Sequence, residues 1–218
     1  MSNMALLQIP ADLSIVTLKD RTRTYPQKFT PPYCKQLLTQ ASAILESRAK
    51  IKFTLGQCTS STEEAQTGMR ADAVDEVGLH FLAAVFRAGR GVRVIFVDKL
   101  SNPAIGGRSI EEKKIVLLPY GSDPAGTALK LAHELVHLLG ITPHFDEGPD
   151  RVTPEPGNEA QFSKMRNNLM YSKSLSPEAL LTPSQIATMR SSRLARQFGG
   201  TTIGDMFIPE ILRSFRKM

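Results

Sequence analysis

The chain has 218 residues, of which 41% are hydrophobic and 22% are charged, and its formal net charge is +6. This composition predicts a globular protein and excludes a disordered one, and no apolar run approaches the roughly 18 residues needed to cross a bilayer. The basic residues are spread along the chain without interleaved aromatic residues, so we expect neither a nucleic-acid nor a membrane partner.

The first half of the chain predicts an irregular lead-in, residues 1–29, followed by helices and strands. Two prolines directly after Thr30 are typical of a helix start, where proline is tolerated in the first turn. A polar loop is expected at residues 57–68. Apolar runs predict strands at residues 13–18, 51–55, 92–97 and 115–118. A helix between the second and third strands has a predicted apolar face of Val74, Val77, Phe81, Val85 and Ala88.

The second half begins with a helix at residues 124–139. Asp123 and Pro124 supply an N-cap and a first helical residue, and Gly140 ends the helix. Its sequence is apolar nearly all round, so we expect it to be buried. An irregular segment follows. The remaining predicted helices are residues 159–166, 182–196, which opens with a capping-box pattern, and 208–215.

These elements predict an α+β fold with a small twisted mixed sheet, one buried helix on it and a backing helix. We expect an N-terminal subdomain at residues 1–140 and a mostly helical or irregular C-terminal subdomain at residues 141–218. Cys34 and Cys58 are too few for a disulfide scaffold, and either a pair or two separate thiols is open. The N-terminus lacks the features of a secretory signal, so we expect cytoplasmic synthesis, with export by a dedicated secretion system left open.

The stretch His133-Glu134-Leu135-Val136-His137 carries the clearest chemistry. Histidines four residues apart lie on one face of a helix, so both rings can reach one ion, and the intervening glutamate can deprotonate a metal-bound water. Three of the four histidines of the chain fall between residues 133 and 144. The pattern predicts one catalytic Zn²⁺ and hydrolysis of an amide bond, with Glu134 as the catalytic residue.

With Gly140, this stretch resembles the metzincin zinc peptidases, a zincin family whose signature is H-E-x-x-H-x-x-G-x-x-H followed by a methionine turn. A candidate for that turn is Asn168-Leu169-Met170-Tyr171. The resemblance implies a zincin-like fold, a third histidine ligand after the glycine, and a methionine, here Met170, that forms an apolar floor below the ligands.

One position departs from the family signature. The third histidine should stand ten residues after the first, at Pro143, whereas His144 stands eleven after it (144 minus 133). An extra residue could bulge out of the irregular loop, which makes His144 the leading third ligand. Asp146, Glu159 and Glu178 remain alternatives, and Glu159 would resemble the gluzincin class, whose third ligand is a helical glutamate.

The resemblance also implies a substrate site along an edge strand. We expect a peptide to pair with residues 114–120 and to contact Tyr171, and a bulge at residues 104–107 to form a cleft wall. The candidate substrate-binding residues are Ala104, Gly106, Gly107, Val116, Leu117, Leu118 and Tyr171.

The function predicted from the sequence is a zinc metalloendopeptidase that acts on peptides or proteins. A gluzincin-type peptidase and a non-catalytic zinc-binding interaction module are alternatives. By analogy, the protein could be a bacterial effector or toxin domain that a cognate inhibitor or immunity protein neutralises.

Overall fold

The computed structural model describes residues 4–142, 144, 167–171 and 178–199. Its five strands form one sheet in the order β2-β1-β3-β5-β4, in which β4 alone runs antiparallel to its neighbour. The predicted α+β fold with a mixed sheet is confirmed. The strands are β1 Leu7–Lys19, β2 Ile51–Glu64, β3 Val92–Val97, β4 Arg108–Ile110 and β5 Ile115–Pro119.

Side-chain caps mark where the helices begin. Thr30 accepts a hydrogen bond from the Tyr33 backbone N–H at the start of α1, and Asp123 accepts from two backbone N–H groups at the start of α3. Both caps agree with the sequence prediction. The described helices are α1 Pro31–Ala49, α2 Glu76–Val85, α3 Pro124–Leu138, α4 Pro183–Ser191 and α5 Arg193–Arg196, with one 3-10 turn at Glu111–Lys113.

Helices cover both faces of the sheet. The apolar sides of α1 and α3 pack on one face, which includes Val116 and Leu118, and α2 packs on the other, which includes Ile115 and Leu117. A strand that is covered on both faces needs apolar residues at consecutive positions rather than at alternate ones, which explains the apolar run of β5. The helix α3 therefore contacts both the sheet and α1.

The strand predicted at residues 13–18 is confirmed but is longer, since residues 7–19 form β1, an interior strand of the sheet; the lead-in is therefore not irregular over residues 7–12. Pro10 and Asp12 interrupt its apolar alternation and are typical of a break. The register shifts between Ala11 and Leu13 at a bulge, where Asp12 accepts a hydrogen bond from the Gln57 backbone N–H and pairs with Arg93. Pairing with strands that are distant in sequence thus overrides the local signals.

Two further local predictions are wrong. The strand β2 continues through the predicted polar loop to Glu64; its residues there are polar because β2 is a terminal strand of the sheet and is largely exposed. The predicted apolar face of α2 is also rotated, since Val77 and Val85 are 51% and 47% exposed while Leu79 and Leu82 are buried. That short helix is apolar on several sides, so its periodicity was ambiguous.

Residues 114–120 were predicted to form the edge of the sheet, and this is wrong. β5 lies between β3 and β4, and its backbone pairs on both sides from Ile115 to Leu117. The terminal strand on that side is β4, which is three residues long. β4 was not predicted, because a three-residue strand next to glycines has no clear apolar pattern.

The helix predicted at residues 182–196 is confirmed in position but is divided at Ser192, where the backbone is extended. The helices predicted at residues 159–166 and 208–215 lie outside the described residues, and the two-subdomain division stays a prediction. Cys34 and Cys58 are separate thiols, and burial raises the pKa of Cys34. Within the described part of the chain, no helix is long and apolar enough to span a bilayer.

Candidate metal centre

The first two histidines of the motif lie one turn apart on α3, with their ring planes at 84° and the ring centres 4.8 Å apart. The Nε2 atoms of His133 and His137 are 3.1 Å apart, and His133 is only 7% exposed. The helical spacing of the motif therefore produces the geometry that the sequence predicted.

Main-chain carbonyl groups orient both rings. His133 Nδ1 lies 2.7 Å from the carbonyl oxygen of Leu169, and His137 Nδ1 lies 2.6 Å from that of Ile141. Because a carbonyl oxygen can only accept, Nδ1 must carry the proton in each ring, which leaves Nε2 as the ligand atom. Neither carbonyl could be found from the sequence, since any residue type supplies one.

His144 completes a group of three imidazoles. Ring nitrogens of His133, His137 and His144 all lie within 4.8 Å of one another, and the His144 ring centre is 5.2 Å and 5.1 Å from those of the other two. Gly140, with a φ of +90°, lets the chain turn at the end of α3. The one-residue offset in the sequence therefore does not keep His144 away from the pair.

The donor set fits zinc. Two neutral imidazoles whose Nε2 atoms face each other at 3.1 Å bring two lone pairs together, and a shared cation removes that repulsion. Zinc–nitrogen bonds of about 2.0–2.1 Å in a tetrahedral arrangement require nitrogens roughly 3.3 Å apart. Three histidines and an open fourth position are the ligand set of catalytic rather than structural zinc sites.

Glu134 lies beside this group and is 7% exposed. Burial raises its pKa to about 7, against a hydrogen bond from Ser109 and the positive charge of Arg108, which both act to lower it. A Cβ atom at Gly107 would lie 2.7 Å from Glu134 Cγ, so the backbone of the 104–107 segment packs directly on this side chain. A buried carboxylate next to three imidazoles is suited to exchange a proton with water.

A cleft of about 860 Å³ opens over the three histidines and Glu134. Four of the seven predicted substrate-binding residues line it, namely Ala104, Gly106, Gly107 and Tyr171. Glu76 and His80 from α2 and Arg108 and Ser109 from β4 also contribute. These four were missed because nothing in the sequence indicates that α2 and β4 approach the motif.

The predicted substrate contacts at Val116, Leu117 and Leu118 are contradicted by the structure. These residues are at most 1% exposed and do not line the cleft. The backbones of Val116 and Leu117 already pair with both β3 and β4, which leaves them no free side for a peptide, whereas Leu118 pairs with β3. The strand available for such pairing is β4.

The main chain of the proposed methionine turn contacts His133. Met170 is fully buried in the same core as α3, and its backbone N–H donates to Asn168 Oδ1 at 2.8 Å. The carbonyl group that contacts His133 belongs to Leu169, the preceding residue. The role of the Met170 side chain as a floor below the metal stays a prediction.

The alternative third ligands are not brought to the site within the described residues. Glu178 is exposed and is not part of the histidine group. Asp146 and Glu159 lie outside the described residues.

No protein-family model and no curated protein matches the chain. Among solved structures, archaemetzincin from Methanopyrus kandleri is similar with a TM-score of 0.54 and 11% identity, covering 84% of this chain and 94% of that one. The chain therefore shares its fold with archaemetzincin.

Two weaker structural likenesses have TM-scores below 0.5. A zinc-dependent peptidase from Methanocorpusculum labreanum gives 0.43 at 11% identity, with 81% of this chain and 99% of that one covered. Metalloproteinase-II from Bacteroides fragilis gives 0.45 at 14% identity, with 86% and 54% covered.

Proposed function

We propose that this protein is a zinc-dependent endopeptidase with a metzincin-like site. The observation that carries the proposal is the meeting of three imidazoles and one buried carboxylate at a cleft. His133, His137 and His144 hold one zinc ion through ring nitrogens, and the carbonyl groups of Leu169 and Ile141 keep two of the rings in the required tautomer.

Glu134 is the proton carrier of the proposed reaction. When bound, zinc supplies a Lewis acid that polarises a carbonyl group and lowers the pKa of water at its open position to about 7. The carboxylate of Glu134 accepts a proton from the attacking water and later delivers it to the leaving amine. Ser109 and the Gly107 backbone keep this carboxylate in place while its surroundings exclude bulk water.

The peptide substrate lies in the cleft along β4. Within the described residues, β4 is the terminal strand next to the cleft, so its outer backbone groups can pair with an extended chain. The segment with Ala104, Gly106 and Gly107 forms one wall, and Tyr171 and His144 also line the cleft. Main-chain pairing requires an extended peptide rather than a small amide.

The decisive experiment measures zinc content and peptide cleavage in the same preparations. The wild-type protein should contain one zinc per chain and cleave peptides of a random fluorogenic library. Glu134→Gln, which keeps the shape of the side chain, should retain the zinc and lose about 10²- to 10⁴-fold in turnover, as expected when a general base is removed.

Full activity of Glu134→Gln would contradict the proposed mechanism. A wild-type protein with stoichiometric zinc that cleaves no member of the library would instead favour the alternative of a zinc-binding interaction module. The role as an exported effector or toxin, with its inhibitor or immunity protein, stays a prediction from the sequence.

A further inference from the structure

The Leu169 carbonyl group that orients His133 belongs to a turn fixed by several hydrogen bonds. The Leu169 backbone N–H donates to the Leu180 carbonyl at 2.8 Å, and the Tyr171 N–H donates to the Asn168 carbonyl at 3.0 Å. Asn168 Oδ1 accepts from the Met170 N–H and thus closes the turn through a side chain. The position of the Leu169 carbonyl therefore depends on Asn168.

Asn168 is held in turn by Gln185 on α4. Asn168 Nδ2 donates to Gln185 Oε1 at 2.9 Å, and Gln185 Nε2 donates back to Asn168 Oδ1 at 3.2 Å. Asn168 is 4% exposed, so this reciprocal amide pair is shielded from water. A flip of either amide would set like groups against each other, and a flip of both is excluded because the Met170 and Thr182 N–H groups donate to Asn168 Oδ1 and Gln185 Oε1.

The same Gln185 side chain forms the capping box of α4. Its Oε1 accepts from the Thr182 backbone N–H at 2.9 Å, while Thr182 Oγ1 accepts from the Gln185 N–H at 3.2 Å. A capping box accepts glutamate or glutamine equally well at this position. Only glutamine has the N–H that Asn168 Oδ1 requires.

We propose that Gln185 and Asn168 are positioning residues of the metal site and that their amide pair fixes His133 in the tautomer that binds zinc. The inference rests on the proposed function. Gln185 thus has a second role besides capping α4, because it orients Asn168. Asn168 closes the turn, and the turn presents the Leu169 carbonyl to His133 Nδ1.

Gln185→Glu tests the amide pair while it keeps the cap. The carboxylate still accepts from Thr182 and from Asn168 Nδ2, but its second oxygen faces Asn168 Oδ1, and the repulsion displaces the Asn168 amide. We expect the zinc dissociation constant, measured by chelator competition, to rise about tenfold, as for the loss of a group that orients a metal ligand. The nitrogen-15 shifts of His133 in the zinc-free protein should change from the Nδ1-protonated form to a mixture of tautomers.

Thr182→Ala is the matched control. It removes the hydroxyl that caps the Gln185 N–H but leaves the amide pair, so it should lower the melting temperature without changing zinc affinity or the His133 tautomer. If Gln185→Glu does not fold, Asn168→Ser replaces it, since serine can still close the turn but cannot reach Gln185.

Unchanged zinc affinity and an unchanged His133 tautomer in the folded variant would overturn the inference and leave the proposed function intact. A wild-type protein that binds no zinc would overturn the proposed function, and the inference with it.

Discussion

Close contact with the Gly107 backbone fixes the position of Glu134. Its buried carboxylate has Ser109 and Arg108 for neighbours and a raised pKa of about 7. The ideal Cβ position at Gly107 is 2.7 Å from Glu134 Cγ and 3.0 Å from Oε1, which leaves no room for a side chain. Only a residue without a Cβ atom fits at position 107, next to Glu134.

Gly107→Ala should displace Glu134 and lower kcat/KM by about 10- to 100-fold, since a shift of about 1 Å in a reacting group can cost that much. Zinc content should not change, because the histidines are untouched. Gly89→Ala is the matched control: its Cβ would come no closer than 3.8 Å to Asp12 Oδ2, and Gly89 does not line the cleft. Equal kcat/KM values for the two variants would contradict this explanation.

His144, the proposed third ligand, gives a second prediction for a single residue. His144→Ala should weaken zinc binding at least 10-fold in chelator competition, because one of three protein ligands is lost. Glu178→Gln should bind zinc as the wild type does, since Glu178 is exposed and outside the histidine group. The reverse result would move the protein to the gluzincin type of ligand set.

At the scale of elements, side chains near both ends of α4 form hydrogen bonds to other parts of the chain. Gln185 in its first turn holds Asn168, while Arg190 near its end donates to the carbonyl oxygens of Ala49 and Lys50 at the end of α1 and of Ala5 before β1. Arg190 is 4% exposed, and burial lowers its pKa. The buried Arg190 guanidinium thus joins α4 to the end of α1 and to the residue before β1.

Arg190→Leu should lower the free energy of unfolding by about 2–3 kcal/mol, because three carbonyl groups lose a charged donor, and removal of a buried charge offsets part of the loss. Urea denaturation followed by circular dichroism measures this. Arg196→Leu, at an exposed position on α5, should change the value by less than about 0.5 kcal/mol. Similar values for both variants would mean that the contacts of Arg190 contribute nothing.

At the scale of the whole molecule, the proposed zinc ligands come from two parts of the chain that are held in place differently. His133 and His137 belong to α3, which packs against both the sheet and α1, whereas His144 follows the turn at Gly140. A metal ion that joins these parts is bound by the folded state and not by the unfolded chain. Its binding free energy therefore adds to the stability of the fold.

Zinc at a concentration 100 times its dissociation constant should stabilise the protein by about 2.7 kcal/mol, which corresponds to roughly 5–10 °C in melting temperature at this size. Chelation by EDTA should remove the shift, and magnesium should not produce it, since imidazoles bind magnesium poorly. The measurement is differential scanning calorimetry of the zinc-free protein with each metal. A melting temperature indifferent to zinc would count against the site.

Local sequence determined the elements that depend on near neighbours. Helical periodicity places His133 and His137 on one face, and the caps at Thr30, Asp123 and Thr182 start helices where the sequence predicted them. These features require only residues within one or two turns of each other, so a single chain segment contains all the information.

Only the tertiary structure decided which strand forms the edge, which carbonyl groups orient the histidines and what surrounds Glu134. β4 rather than β5 is the terminal strand, Leu169 contacts His133 across 36 residues, and Gly107 packs on Glu134 from another element. Such contacts join segments that are far apart in sequence, and main-chain groups carry no residue-specific signal. The sequence therefore predicted the metal-binding motif, but it did not predict the contacts that hold the motif in place.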